Sequence, residues 1–308
     1  MSDGKASRLP LAPPASNPPS RDPVAFPAVD PGAPPPEPPF DCDCHVHTIY
    51  SGHSGPEMFI PAVMAYAAEL RLRRAVILEH VPTLDSEAYL KPGKWLAGRD
   101  DRSAVEAILA ELGPRRALYP GTEFLVGAEV DADPVKLDGA LMLSDLSGVD
   151  FVLAATHLVP GGSDFWFDRP LLAQEEVPAA RARWLGWLAR VAANPAVDAL
   201  AHPVCEMAAC RLAGGFDAGF RRDFQPVAEA MAGNAVAFEL NEAAVNRFGP
   251  EEALGYVELV RLARDCGVRF TLGSDAHRGA QLGRFRTVRQ VVEAAALEPS
   301  DFWQPAAQ

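Results

Sequence analysis

Seven histidines are all that this 308-residue chain has, and their neighbours draw attention to them. His45 and His47 stand two apart in Asp43-Cys44-His45-Val46-His47, and His53 follows six residues later. His80 closes Leu78-Glu79-His80, and His157 closes Ala155-Thr156-His157. His202 sits in Ala201-His202-Pro203, and His277 ends Gly273-Ser274-Asp275-Ala276-His277. Alternate residues of an extended strand point to one side. His45 and His47 can therefore grip one cation, and Asp275 and His277 repeat the spacing. Glu129 ends the apolar run Val126-Gly127-Ala128, where a carboxylate has no packing role. Seven imidazoles and two carboxylates are too many for one tetrahedral zinc, and suit two or three clustered divalent ions such as Zn, Mn or Fe. The five cysteines, Cys42, Cys44, Cys205, Cys210 and Cys266, lack C-x-x-C spacing and read as small buried residues.

Donors so far apart in sequence need a scaffold that gathers them. Strand-like runs occur at 40–44, 75–78, 124–129, 151–155, 199–201, 235–240 and 268–272. Each histidine falls at the end of one of these or just beyond it. Helical periodicity appears at 57–70, 103–112, 179–193, 220–232 and 251–265, the last stopping at Cys266-Gly267. Seven strands alternating with helices predict a closed parallel βα barrel. An open doubly wound sheet is the competitor, but no glycine-rich dinucleotide or P-loop fingerprint supports it. In a parallel barrel every strand ends at one mouth, so the imidazoles would meet there.

Residues 1–39 carry 13 of the 29 prolines and little apolar material, which predicts a disordered proline-rich tail before a barrel domain at 40–308. The hydrophobic content of 48% is enough for a substantial core. With 28 Lys+Arg against 41 Asp+Glu, the net charge of -13 argues against an extended nucleic-acid surface. No apolar run reaches 18 residues, so no membrane-spanning helix is expected. An odd cysteine count without a secretory signal predicts reduced thiols and a cytoplasmic protein.

The order HxH-x5-H, strand-end His, GxE, strand-end His, AHP and GSDAH resembles the polymerase-and-histidinol-phosphatase (PHP) family of metal-dependent phosphoesterases, across residues 41 to 283. Gly127-Ala128-Glu129-Val130-Asp131 and Phe238-Glu239-Leu240-Asn241 look closer to its histidinol-phosphatase-like branch. The resemblance implies a distorted (βα)7 parallel barrel, TIM-like. It implies a first metal on His45, His47, Glu129 and Asp275, and a second bridged by Glu129 and completed by His157 and His202. A third would lie on His53, His80 and His277. It implies hydrolysis of a small-molecule phosphate ester, a phosphomonoester of the histidinol phosphate kind, by a hydroxide shared between ions, with Glu129, Asp275 and His277 at the reaction centre. Two motifs depart from the family pattern: Leu78-Glu79-His80 replaces Thr-Asp-His, and Ala155-Thr156-His157 replaces Gly-Ser-x-His.

Three divalent ions with Glu129 and Asp275 would leave the mouth at about +4, attractive to phosphate. Arg278, Arg247 and Arg169 are the substrate-binding candidates, since a guanidinium suits a phosphate. Lys91, Lys94 and Trp95 lie in a possible lid at 81–100. Glu79 and Asp43 are expected to orient ligand imidazoles. Two other functions fit parts of the pattern. An amidohydrolase-type C–N hydrolase shares the first HxH but needs a carboxylated lysine at a mid-barrel strand end, which no predicted strand offers. A non-catalytic metal-binding module would have lost ligands, and none is missing.

Overall fold

Short strands rich in Val, Ala, Phe and Leu pair in sequence order because each is followed by a chain segment that returns over the outside of the sheet. The computed structural model describes residues 26–81, 102–143, 145–162, 166, 176–205 and 216–303. Its strands are β1 (Cys42–Val46), β2 (Arg74–Ile77), β3 (His80–Val81), β4 (Glu123–Asp131), β5 (Phe151–Ala155), β6 (Ala199–Leu200), β7 (Ala237–Asn241) and β8 (Phe270–Gly273). All pair in parallel, in the order β1-β2-β4-β5-β6-β7-β8, with β3 beside β4. β2 and β3 make one stave interrupted at Leu78-Glu79, so the staves number seven. The ring nearly closes where the end of β1 meets the segment after β8. There Val46 bridges Ala276, His47 N donates to Ala276 O (3.1 Å) and Asp275 N donates to His45 O (2.9 Å). This is the predicted distorted TIM-like barrel.

The outer helices are α1 (Ile60–Glu69), α2 (Ser103–Leu112), α3 (Val177–Ala192), α4 (Ala218–Gly233), the short α5 (Glu242–Val245), α6 (Pro250–Asp265) and α7 (Arg286–Ala295). Helix α7 was not among the expected helices, although Val288, Val291, Val292 and Ala295 give it a buried stripe. The first strand lies two residues later than expected, so His45 belongs to the strand itself. Asp41 stands just before the strand, with its carboxylate on Arg73 (2.8 Å). Among the described residues no helix is long and apolar enough to cross a membrane.

The barrel interior is a separate apolar cluster. Cys44, Val76, Leu78, Leu125, Phe151, Leu153, Ala155, Ala199, Ala201 and Ala237 converge from six staves, with Trp303 packed against them. Small residues are required where staves crowd. A Cβ on Gly127 would lie 2.6 Å from Val76 Cγ1 and 2.9 Å from Leu78 Cβ. Gly127→Ala is therefore expected to cost about 1–3 kcal/mol by overpacking. Denaturant unfolding would measure it, and an unchanged midpoint would refute it.

Residues 26–39 contain no helix or strand but lie against the barrel. Phe26 packs on Tyr66 of α1 (ring centroids 4.5 Å), and Arg71 donates to the carbonyls of Ala33 (3.1 Å) and Pro31 (3.2 Å).

Candidate metal centre

The strand ends deliver their polar groups to one place. Pairing of β1 with β2 shifts register between Asp43 and Val46, an irregularity of the sort that re-aims a side chain. His45 and His47 are fully buried, and their Nε2 atoms approach to 3.0 Å. Asp275 Oδ1 lies 3.5 Å from the first and 3.4 Å from the second. His80 and Glu129 are register partners between β3 and β4, which brings His80 Nδ1 to 2.7 Å from Glu129 Oε2. The same oxygen is 3.5 Å from both His45 Nε2 and His47 Nε2. Glu129 Oε1 faces His202 Nε2 (3.1 Å) and His157 Nε2 (3.3 Å). His53, exposed after the turn at Ile49–Ser51, stacks near His277 (4.3 Å between centroids) and His80 (5.5 Å).

Two of these residues reach the site through left-handed backbone: φ is +55° at Asp275 and +28° at His202, with Val204 beyond it at +70°. A branched residue such as valine rarely adopts that conformation, and it persists only where surrounding structure imposes it.

Carboxylates and carbonyls orient the rings from behind. His45 Nδ1 meets Glu239 Oε1 (2.7 Å), His47 Nδ1 meets Glu79 Oε2 (3.4 Å), and His157 Nδ1 meets Asp131 Oδ2 (3.2 Å). Thr48 donates its N–H and its hydroxyl to Glu79 Oε1, both at 2.7 Å. His53 Nδ1 and His277 Nδ1 meet the carbonyls of Ser51 (3.1 Å) and Asp275 (3.0 Å). Tying off Nδ1 leaves Nε2 as the donor atom offered to a cation. Glu79 thus orients an imidazole as expected, but Asp43 does not. Its carboxylate accepts backbone N–H groups of Ser274 (3.0 Å), Gly283 (2.9 Å) and His45 (3.3 Å), fixing the loop that carries Asp275. Glu239 and Asp131 had no expected role. Glu239, between Phe238 and Leu240, is a carboxylate inside an apolar strand just as Glu129 is.

Burial opposes charge throughout the cluster, and the carboxylates decide which imidazoles resist it. Glu239, Asp275 and Glu129 hold His45 well above the usual histidine range. Burial is likewise outweighed at His47, pushed up to about 9 by Asp275 and Glu79, and at His157, raised by Asp131 and Glu129. Burial wins at His80 and at His277, the latter pushed down to about 3 with the help of neighbouring His47. Despite burial, Glu129 is held low first by His80, and Asp275 by His45.

The donor set fits divalent cations. Three groups have ligand atoms within 4.8 Å of one another: His45, His47 and Asp275; His80, Glu129 and His157; His47, His80 and His277. The buried His277 Nε2 has no hydrogen-bond partner, and neither has Glu129 Oε2 for all its closeness to His80. His80 here sits with Glu129 and His157 as well as with His277, so the partition is less sharp than the family resemblance implies. The charge expectation also changes. Glu79, Asp131 and Glu239 are buried against the imidazoles and take three more units from the formal sum, leaving about +1 with three ions rather than +4. Local donors, more than net charge, must then hold an anion.

Arg278 directly follows His277, and Arg247 follows α5 beyond the end of β7; both are exposed. Arg169 lies outside the described residues, as do Lys91, Lys94 and Trp95.

No family model matches the chain. The histidinol phosphate phosphatase of Lactococcus lactis, solved with Zn, L-histidinol and phosphate, superposes with a TM-score of 0.58 at 16% identity, over 83% of this chain and 94% of that one. The chain shares the barrel fold of that enzyme. A probable phosphatase of Acetivibrio thermocellus is 29% identical over 257 residues, 82% of this chain and 86% of its own length. A probable phosphatase of Photobacterium profundum is 24% identical, over 82% of this chain and 85% of its length. The expected barrel is thus shared with a solved phosphatase, and curated relatives named probable phosphatases match along most of their own length.

Proposed function

We propose that the chain is a metal-dependent phosphatase that hydrolyses a small-molecule phosphomonoester, of the histidinol-phosphatase-like kind. The observation that carries this is the convergence of five imidazoles on the buried Glu129 carboxylate at the barrel mouth, with Asp275 on two of them. His45, His47, His53, His80, Glu129, His157, His202, Asp275 and His277 would hold two or three ions such as Zn or Mn. When bound, such ions supply Lewis acidity to a phosphoryl oxygen and a water acidic enough to attack near neutral pH.

The chain's own residues set the geometry. Glu129 and Asp275 balance charge, and the Nδ1 contacts hold the rings of His45, His47, His53, His157 and His277 in place. His277 and Asp275 have about a fifth of their side chains exposed, which makes their side of the cluster the entrance. A neutral His277 there would offer its Nε2 lone pair to a cation. Arg278, Arg247 and Arg169 are assigned to the phosphate's outer oxygens. The described cysteines are free thiols, which fits the cytoplasm.

The amidohydrolase alternative is disfavoured by the lysines. Among the described residues the one lysine is Lys136, which is exposed and paired with Asp133 at 3.0 Å. The deciding experiment assays Mn- and Zn-loaded protein against histidinol phosphate, other phosphomonoesters, phosphodiesters and amides. Phosphomonoester turnover is expected. Turnover of amides alone, or none at all by metal-replete protein, overturns the proposal.

A further inference from the structure

We infer that Glu239 is a positioning residue that couples two halves of the donor cluster, fixing the His45 ring and the His202 backbone with a single carboxylate. This rests on the metal-centre assignment above and adds a residue to it. Glu239 is fully buried on β7. Its Oε1 lies 2.7 Å from His45 Nδ1, and its Oε2 accepts the His202 N–H at 2.5 Å. Glu79 and Asp131 each serve one histidine and the backbone beside it. Glu239 instead joins the ends of β1 and β6, on opposite sides of the barrel mouth. The neighbouring stave makes room for it: a Cβ on Gly273 would fall 1.9 Å from Glu239 Oε1 and 2.7 Å from His45 Cβ.

An ionised carboxylate offers only acceptors. His45 Nδ1 must therefore carry a proton whether the ring is charged or neutral, and in the neutral ring the Nε2 lone pair is turned toward His47, Glu129 and Asp275. Glutamine has nearly the same shape but cannot do both jobs. With its NH2 toward His45, the proton moves to Nε2 and that ligand atom is blocked. With its oxygen toward His45, its NH2 confronts the His202 N–H.

The test compares full-length wild type, Glu239→Gln and Gly273→Ala, each stripped of metal. Histidine 15N spectra report the His45 tautomer, with His45→Ala used to assign the signal, and calorimetric titration with Zn2+ reports affinity and stoichiometry. Wild type should keep a proton on His45 Nδ1, and on Nδ1 alone once the pH is high enough to neutralise the ring. Both variants should keep the wild-type circular dichroism, lose that tautomer and bind Zn2+ about 10- to 100-fold more weakly. Wild-type stoichiometry and affinity in Glu239→Gln, or a neutral His45 protonated on Nε2 in the wild type, would overturn the inference while leaving the metal centre intact. Wild type that takes up no Zn2+ would overturn both. If the variants do not fold, the wild-type tautomer alone decides.

Discussion

Glu129→Gln is expected to lower kcat at least about 100-fold, the upper end of what loss of a ligand's outer partner costs, and to reduce the number of ions held per chain. No other described carboxylate faces so many donors: five imidazole nitrogens lie within 3.5 Å of its two oxygens. An amide would place NH2 donors where cations and imidazole lone pairs meet, and would withdraw the negative charge from a buried site. Removing one partner from buried charged contacts is costly because the others are left uncompensated. Activity at saturating Mn2+, with elemental analysis of the same sample, measures both effects. Unchanged kcat and stoichiometry would remove Glu129 from the site.

Stripping the protein with a chelator should abolish turnover and lower Tm on the order of 10 °C, both restored by Mn2+ or Zn2+. An ion present at 1,000 times its Kd contributes about 4 kcal/mol, and each kcal/mol moves Tm by about 2–4 °C in a domain of this size class. The difference should widen with pH. In the metal-free chain His47 is pushed up to about 9, and His45 and His157 are also raised. Their charge stabilises the fold fully below the unfolded value of about 6.5. That contribution fades as pH rises through the folded values. Over the same range fewer protons compete with the ion, so binding tightens. Calorimetric melting at pH 6.5 and pH 9, with and without metal, checks this. A difference that shrinks with pH would contradict it.

Much of this was legible in the chain because ligation needs particular atoms at strand ends. His-x-His, Ala-His-Pro and Ser-Asp-Ala-His announced themselves by type and spacing, and alternation of apolar runs located all seven staves. Precise strand ends were not legible. The β1 irregularity and the break at Leu78-Glu79 depend on pairing with staves distant in sequence. The supporting carboxylates were half hidden for the same reason. Glu79 neighbours a histidine and could be suspected, but it serves His47, 32 residues away, rather than His80 beside it. Glu239 meets His45 across 194 residues, a contact no local pattern encodes. Helix α7 carries a stripe of Val288, Val291, Val292 and Ala295 at helical spacing that is legible in the chain.

The left-handed backbone at His202 and Asp275 is braced from inside the chain: Glu239 accepts the His202 N–H, and Asp43 accepts the Ser274 N–H beside Asp275. Such conformations cost on the order of 1–3 kcal/mol each. A substitution that removes either carboxylate therefore also relaxes the bend that aims a donor, so its damage reaches one stave further than its own contacts.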